Sequence, residues 1–235
     1  MLYTDSIGEG LTMKNEIKEI FIRLGCDICG VTNVDRFDNA PKGFHPRDIY
    51  EDCKSVIVFA KAIPNSIAKV NPRIIYQHFN NIGPIILDRI AYEAALHIER
   101  NYGYAVPIPS DGPYEYWDEE KLEGRGLLSM KHAAVNAGIG TLGKNTMLIN
   151  SQFGSMLNIG AVLTDLDLPS DPFVEEVCIK NCRICLDSCP VNALDGQYVN
   201  QSLCRTNTYG KNARGFDVVN CNQCRVVCPR AFGKK

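Results

Sequence analysis

Apolar residues recur at helical spacing in three segments of the chain, over 13–25, 84–102 and 128–137. Gly25 ends the first segment, and glycine is the residue most often found just beyond the end of a helix. Pro84 begins the second segment, where proline fits the first turn of a helix. The sequence therefore predicts three helices with these bounds.

Short apolar runs of strand length lie outside these segments. DICGV (27–31) and SVIVFA (55–60) precede the second helix, and TMLI (146–149) and LNIGAVLTD (157–165) follow the third. Residues 105–126 contain too many prolines, glycines and charged residues for a regular element, so the sequence predicts one long loop there. Long loops inside compact domains often carry function.

The composition is that of an ordinary globular protein, with 235 residues, 45% of them hydrophobic, and a net charge of −2. A charge so close to balance creates no overall field that would attract nucleic acid or an anionic membrane. No apolar run approaches the roughly 18 residues of a membrane span. The first 20 residues also lack the apolar core of a secretory signal. We therefore expect a cytoplasmic protein without a membrane partner.

The cysteine content departs from this ordinary picture, because eight of the eleven cysteines fall within residues 178–228. In a reducing compartment such a concentration favours metal or cluster ligation over disulfides. The eight residues form two runs that each end in C-x2-C-x3-C-P, at Pro190 and at Pro229. This pattern is typical of proteins with two iron–sulfur clusters, in which the last cysteine of each run ligates the cluster of the other run.

The crossover pattern predicts two [4Fe–4S] clusters that lie close enough to exchange electrons. The spacing of three residues between Cys178 and Cys182 departs from the usual two, which makes Cys178 the least regular ligand. Two structural zinc sites with four cysteines each are the alternative. The proline after each final cysteine favours iron–sulfur. The predicted ligands are Cys178, Cys182, Cys185 and Cys228 for the first cluster, and Cys189, Cys204, Cys221 and Cys224 for the second.

Three cysteines remain outside these runs: Cys26, Cys29 and Cys53. The C-x-x-C spacing of the first two is also found in redox-active pairs. Cys29 lies in a predicted buried strand, however, where a free cysteine behaves as a small hydrophobic residue. We expect a packing role for all three.

The stretch AGIGTLGKNT contains the glycine spacing of a dinucleotide-binding loop and most of a phosphate-binding P-loop. Both motifs require a strand before the loop and a helix after it. Here a helix comes first and a strand follows, so Gly138 is predicted to end the third helix. Asn145 also occupies the position after Lys144 where a P-loop carries Ser or Thr. The sequence therefore excludes both nucleotide-binding motifs.

The segment AAVNAGIGTLGKNTMLINSQFGSMLNIGAVLTDL, followed by the two cysteine runs, resembles epoxyqueuosine reductases and, more distantly, reductive dehalogenases. GCDICGVTNVDRF, PKGFHPRDI and CKSVIVFAK resemble short double-cluster members of that superfamily. The resemblance implies an α+β fold: a nitroreductase-like cobalamin-binding domain over 1–168, then a ferredoxin-like domain with both clusters over 169–235.

The resemblance also implies a corrinoid site, since the glycine loop of that family lies along the corrin. Glycines allow backbone N–H groups to approach a large flat ligand closely. The sequence has no D-x-H-x-x-G motif to supply a histidine to cobalt, and no ligand role is expected for its four histidines. FMN is the second-choice cofactor after cobalamin. The implied corrinoid residues are Gly140, Gly143, Lys144, Asn145, Thr146 and Ser155.

The chain departs from the family at two points. Epoxyqueuosine reductases continue into a helical-repeat domain that helps to hold tRNA, whereas this chain ends seven residues after Cys228 and has no basic stripe, so tRNA is not expected as a partner. The family's proton-donating Asp has its nearest equivalent in Asp111, which we take as the candidate catalytic acid; an aspartate in a turn before Gly-Pro is the alternative. Tyr114, Tyr116 and Trp117 could line a substrate site or simply pack the loop.

Two functions follow from this sequence. The first is an oxidoreductase that passes electrons through two clusters to a corrinoid, for removal of oxygen or halogen from a small-molecule substrate. The second is an electron-transfer protein that donates to a partner redox protein and has no substrate chemistry of its own. Either function requires a low-potential donor such as ferredoxin or flavodoxin.

Overall fold

The computed structural model describes residues 3–234. The two residues before this range and the one after it, which belong to the predicted domains 1–168 and 169–235, lie outside the described residues. The α-helices are α1 (Tyr3–Arg23), α2 (Pro46–Ile49), α3 (Ile74–Asn101), α4 (Met130–Asn136), α5 (Ile184–Asp187), α6 (Gln201–Thr208) and α7 (Gln223–Val226). The strands are β1 (Ile28–Asn33), β2 (Ser55–Ala62), β3 (Ala105–Ile108), β4 (Tyr116–Asp118), β5 (Glu123–Arg125), β6 (Thr141–Leu142), β7 (Leu148–Ile149), β8 (Leu157–Thr164), β9 (Tyr209–Lys211) and β10 (Asp217–Val219).

A four-stranded antiparallel sheet with strand order β1-β2-β8-β3 forms the centre of the molecule. The inner strand β2 is fully buried over its first six residues, so both of its faces contribute to a core. Ile57 and Phe59 pack on α1 and α3, whereas Val56 and Val58 pack on the opposite side with α4. The period-two alternation of a strand thus divides the core into two layers of side chains. Helices and sheet are mixed, as the α+β expectation requires.

Helix α3 begins ten residues earlier than the predicted start at Pro84, which lies inside the helix. A proline inside a helix removes one main-chain hydrogen bond. Burial of Tyr76 against Met156 and Val219 compensates by fixing the first turns of α3 to the cysteine-rich tail. This contact is distant in sequence, so the local pattern could not reveal it. Helix α1 likewise begins ten residues before its predicted start.

The predicted long loop over 105–126 was partly wrong, because it contains β3 and the hairpin β4–β5. Pro107 is tolerated in β3 because this strand lies at the edge of the sheet and pairs only with β8. The other predicted strands are confirmed. Within the predicted segment TMLI (146–149), only Leu148 and Ile149 form a strand, β7, which pairs with β6.

The cysteine-rich tail is fixed to the rest of the chain at both ends. At its start, the carboxylate of Asp171 accepts hydrogen bonds from Lys14 Nζ (3.0 Å) and Lys18 Nζ (2.7 Å) of α1, and from the N–H of Val31 in β1 (2.9 Å). At its end, Ala231 accepts a main-chain hydrogen bond from Ser155, and residue 234 donates one to residue 151. The tail is therefore a closed segment held against the central sheet.

The polar cluster around Asp171 has a marked effect on its ionisation. Burial alone would raise the pKa of this carboxyl, but the hydrogen bonds from Lys18, Lys14 and the N–H of Val31 lower it below its ordinary value. A carboxyl whose pKa is lower in the folded protein than in the unfolded chain stabilises the fold at pH values above its unfolded-state pKa, which is near 3.8. This stabilisation is lost as the pH falls through the folded-state pKa.

We predict that Asp171→Asn lowers the free energy of unfolding by about 2–3 kcal/mol at pH 7, because it leaves the buried ammonium of Lys14 without a counter-ion. Denaturant titration of both proteins measures the difference. Asp217→Asn is the matched control, since its ion pair with Lys211 is exposed and should change the free energy by less than about 0.5 kcal/mol. Equal effects from the two substitutions would contradict the assigned role of Asp171.

Candidate functional site

The four cysteines predicted for the first cluster line one small cavity: Cys178, Cys182, Cys185 and Cys228. The one-turn helix α5 carries Cys185, and Cys228 follows the one-turn helix α7. Burial raises the pKa of Cys185, and the negative charges of the other three thiolates raise it further. The fold thus brings both runs of the sequence together at this point.

The four cysteines predicted for the second cluster are also neighbours: Cys189, Cys204, Cys221 and Cys224. The pKa of Cys224 is raised to about 11 by burial, with further increases from Cys204, Cys221 and Cys189 that Arg225 opposes. Cys204 is carried by α6, and the Cys189 sulfur accepts a hydrogen bond from the N–H of Ala193 at 3.3 Å. Each group therefore has members from both cysteine runs.

Neither group has the geometry of a mononuclear metal site. Across residues 3–234, no three His, Cys, Asp or Glu side chains converge closely enough to hold a single metal ion. Four thiolates on one zinc ion would lie only about 3.8 Å apart, since the Zn–S bond of a tetrahedral site is about 2.3 Å. No such compact set of thiols is found among residues 3–234.

The glycine loop between α4 and β7 owes its glycines to internal packing. Gly138 has φ +68° and ends α4, as predicted. A Cβ on Gly140 would collide with the carbonyl of Ile149, and one on Gly143 would collide with the side chain of the same residue. The small residues allow the hairpin β6–β7 to close tightly behind α4.

Two adjacent side chains of the glycine loop hold the two cysteine runs. Lys144 Nζ donates to the carbonyl of Cys182 at 2.9 Å, and Asn145 Nδ2 donates to the carbonyl of Cys224 at 3.0 Å. Asn145 is only 3% exposed, so this hydrogen bond is shielded from water. Both residues also line the cavity of the first cysteine group. The loop thus positions the tail relative to the central sheet.

The other residues implied as corrinoid ligands have varied surroundings. The carbonyl of Thr146 accepts a hydrogen bond from Lys131 Nζ at 2.7 Å. Ser155 is buried, and its hydroxyl has no hydrogen-bond partner among the described residues. None of the six implied residues lines the larger cavity described next, and their contact with a cofactor stays a prediction.

A cavity of about 920 Å³ lies between the sheet-bearing part of the chain and the tail. One wall comes from residues 36–44 and from α4, and the other from α6. Cys204 of the second cysteine group is part of this wall. The volume is near the upper end of the range for ligand sites in proteins, which suits a large cofactor or substrate. We call this space the large cavity.

The rim of the large cavity joins the hairpin β4–β5 to α6. Arg205 lies over the rings of Tyr114, Trp117 and Tyr209, at 5.7, 5.1 and 6.0 Å from their centroids. Gln201 Oε1 accepts from the N–H of Gly124 at 3.1 Å and from Arg205 Nε at 3.3 Å. These contacts hold the three aromatic rings beside Arg205 of the cavity wall. Arg205 is not among the site residues predicted from the sequence, although its place directly after the predicted ligand Cys204 was a usable signal.

Asp111 is exposed and does not line the large cavity, although it lies near the rim. Tyr114 donates its hydroxyl proton to Asp111 Oδ1 at 3.1 Å. Burial raises the pKa of Tyr209, Arg205 opposes this, and the charges of Tyr114 and Asp111 add to the increase. The carboxylate is therefore within electrostatic reach of a cavity residue, and its catalytic role stays a prediction.

The remaining cysteines and histidines behave mostly as expected. Cys26, Cys29 and Cys53 are buried, and burial raises the pKa of Cys26 to about 12 and that of Cys53 to about 11. The packing role predicted for them is confirmed. Among the histidines, His132 lines the large cavity, with its Nδ1 at 2.7 Å from Ser129 Oγ, while His45 caps α2.

The fold is that of epoxyqueuosine reductases and reductive dehalogenases. The epoxyqueuosine reductase from Streptococcus thermophilus superposes with a TM-score of 0.65 at 20% identity, covering 96% of this chain and 68% of that one. A catabolic reductive dehalogenase superposes with a TM-score of 0.67 at 16% identity, covering 92% of this chain and 31% of that one.

Sequence comparison points to the first of these groups. The epoxyqueuosine reductase of Lactococcus garvieae is 26% identical, with alignment over 93% of this chain and 69% of the relative. That of Bacillus anthracis is 33% identical over 46% of this chain, which is 31% of the relative's own length. No family model matches the chain. The expected similarity to epoxyqueuosine reductases is thus confirmed, and these relatives are enzymes.

The expectation that tRNA is not a partner was wrong. An epoxyqueuosine reductase with a bound tRNA-Tyr stem loop carrying epoxyqueuosine superposes over 94% of this chain, with a TM-score of 0.63 at 20% identity, and the match covers 65% of that enzyme. A net charge of −2 sums over the whole molecule and does not describe the local surface, which is basic around the large cavity.

Every helix in the described part of the chain is too short or too polar to cross a lipid bilayer.

We predict that Asn145→Ala lowers the free energy of unfolding by about 1–3 kcal/mol, because it leaves the partly buried carbonyl of Cys224 without its donor. Urea titration monitored by circular dichroism measures the loss. Asn81→Ala is the control, since the Asn81 side chain is exposed and bonds only to Gln77 within α3. If the two variants unfold at the same urea concentration, Asn145 does not hold the tail.

Proposed function

We propose that the protein is an iron–sulfur oxidoreductase of the epoxyqueuosine reductase type. The observation that supports this proposal most strongly is the position of Cys204, which belongs to one of two four-cysteine groups and also forms part of the wall of the large cavity. Electrons that reach the second group would therefore be delivered beside a cavity large enough for a cofactor or substrate.

The two cysteine groups fit [4Fe–4S] clusters in the chemistry of their donors. Each offers four thiols and no carboxylate or imidazole, which is the usual donor set for cubane clusters. The crossover of ligands between runs also agrees with the two-cluster pattern. The N–H of Ala193 that bonds to the Cys189 sulfur would help to set the reduction potential of the second cluster. A low-potential protein such as ferredoxin or flavodoxin is the proposed electron donor.

The large cavity is the proposed site of a corrinoid. Its volume suits a large ligand, and Gly124 and Gly126 in its wall leave the backbone accessible. Lys131 and Arg205 would hold polar groups of the ligand, and Thr146 orients Lys131 through its carbonyl. A bound corrinoid would supply a redox-active metal centre for removal of oxygen or halogen. The other residues implied as corrinoid ligands do not line this cavity, and their proposed role is to fix the clusters next to it. They are Gly140, Gly143, Lys144, Asn145 and Ser155.

The proposed substrate is a modified nucleoside in RNA, as the names of the relatives indicate. Exposed aromatic side chains beside Arg205 can stack on unpaired bases, and this is how proteins commonly hold single-stranded RNA. The rings of Tyr114 and Trp117 stack with their centroids 5.9 Å apart, and Arg205 of the cavity wall lies over both of them. A cavity next to Cys204 favours an enzyme over a protein that only relays electrons.

Asp111 is the proposed proton donor. It lies outside the large cavity, with Tyr114 as its hydrogen-bond donor. In an epoxyqueuosine reductase from Bacillus subtilis, with a TM-score of 0.66 at 21% identity, the loop with the catalytic Asp is swung out of the active site. A movement of the loop around Asp111 would bring its carboxyl group to the substrate, where it could donate a proton to the leaving oxygen.

We predict that anaerobically purified protein contains about eight iron and eight sulfide per chain, as two [4Fe–4S] clusters require. The double variant Cys221→Ala/Cys224→Ala should retain about half of both, because it removes two ligands of one cluster only. Iron and sulfide analysis together with electron paramagnetic resonance measures the outcome.

Cys26→Ala/Cys29→Ala is the matched control, because it also removes a C-x-x-C pair but leaves both cysteine groups intact. It should keep the full iron content. Zinc in place of iron in the purified protein, or unchanged iron in the Cys221→Ala/Cys224→Ala variant, would refute the cluster assignment.

A further inference from the structure

The lining of the large cavity is strongly asymmetric in charge. Four cationic side chains face it, whereas no Asp or Glu is found among the described residues that line it. None of the ion pairs identified within residues 3–234 involves any of these cations. The four are Arg36, Arg125, Lys131 and Arg205.

Lys131 is a partly buried cation with no ion pair identified among the described residues. Its Nζ donates to the carbonyl of Thr146, which orients the ammonium but does not neutralise it. Burial lowers the pKa of Lys131, and no carboxylate opposes that decrease. A partly buried cation without a counter-ion is costly unless something else supplies the negative charge. An anionic ligand bound in the large cavity, which Lys131 lines, can supply this negative charge.

Arg36 is oriented in the same way from another element of the wall. Its guanidinium donates to the carbonyls of Asn136 and Asp171 at 2.6 and 2.8 Å, and it lies 4.1 Å from the ring centroid of Phe173. The carboxylate of Asp171 is already engaged by two lysines of α1. Arg36 is therefore fixed in place with its charge unpaired.

Arg125 and Arg205 lie over aromatic rings at the rim. Arg205 directly follows Cys204, so its charge can also balance that of a cluster. Lys131 belongs to α4, which carries none of the predicted cluster ligands. Charge balance for the clusters consequently does not explain the basic lining as a whole.

We propose that the large cavity binds a phosphodiester group, with Lys131 and Arg36 in the wall and Arg125 and Arg205 at the rim. This inference rests on the proposed function. Two occupants are proposed for the cavity, a corrinoid with a nucleotide tail and an RNA strand, and both contain a phosphodiester. Neither of them needs an Asp or Glu side chain in the cavity wall. Guanidinium and ammonium groups are the side chains that proteins use for phosphate oxygens.

The test is anaerobic isothermal titration of the cluster-loaded protein with three probes: cyanocobalamin, dicyanocobinamide, which lacks the nucleotide tail, and a 17-nucleotide RNA stem loop. Lys131→Gln should weaken binding of at least one phosphodiester probe by about tenfold. Lys61→Gln is the matched control, because this lysine of β2 pairs with Asp27 and does not line the large cavity, and it should change affinity by less than about twofold. Lys131→Arg, which keeps the charge, should retain most of the affinity.

The pattern across the probes identifies the source of the phosphodiester. A loss for cyanocobalamin but not for dicyanocobinamide supports the nucleotide tail as the ligand. A loss for RNA alone, with a salt dependence about one unit shallower than in the wild type, supports the RNA backbone. Unchanged iron content in Lys131→Gln shows that the clusters and the fold are intact.

Two results would overturn the inference, and they differ in what they imply for the proposed function. If wild type and Lys131→Gln bind a corrinoid or the RNA equally well, the phosphodiester contact is absent but the oxidoreductase proposal stands. If the cluster-loaded wild type binds none of the three probes, both the inference and the proposed occupants of the large cavity are wrong.

Discussion

The arrangement of the molecule depends on two hydrogen bonds from neighbouring residues of one loop. Lys144 holds a carbonyl of the first cysteine run, and Asn145 holds a carbonyl of the second. Because both donors leave the same tight turn, the two runs cannot move independently of each other or of α4. The position of Cys204 beside the large cavity follows from this fixed relation, and with it the proposed route for electrons.

The elements that could be predicted from the sequence are those specified by local pattern. The buried runs at β2 and β8 and the repeated cysteine spacing carry their own signals. The first turns of α3 could not be predicted, because Pro84 suggests a helix start and only the distant contact of Tyr76 overrides it. Nor could the hairpin β4–β5, whose Gly124 is held by a glutamine of α6.

The large cavity illustrates a similar limit for the site. Its basic lining is assembled from separate elements, namely the segment after β1, the hairpin β4–β5, α4 and α6. None of these elements carries enough positive charge to form a basic motif in the sequence. The net charge of −2 is a sum over the whole chain and does not reveal the local positive charge of the cavity. The expectation against tRNA rested on the missing helical-repeat domain and on the absence of a basic stripe in the sequence, and a basic lining built from separate segments leaves no such stripe.

The attachment of the tail at both ends has a consequence for oxidative damage. The predicted cluster ligands lie between Asp171 and residues 231–234, and both attachments consist of ordinary hydrogen bonds and ion pairs that need no iron. A segment closed in this way loses much less chain entropy on rebuilding its contacts than a free tail would. Loss of the proposed clusters on exposure to oxygen would then leave a tethered apoprotein, with its thiols still close together for reassembly.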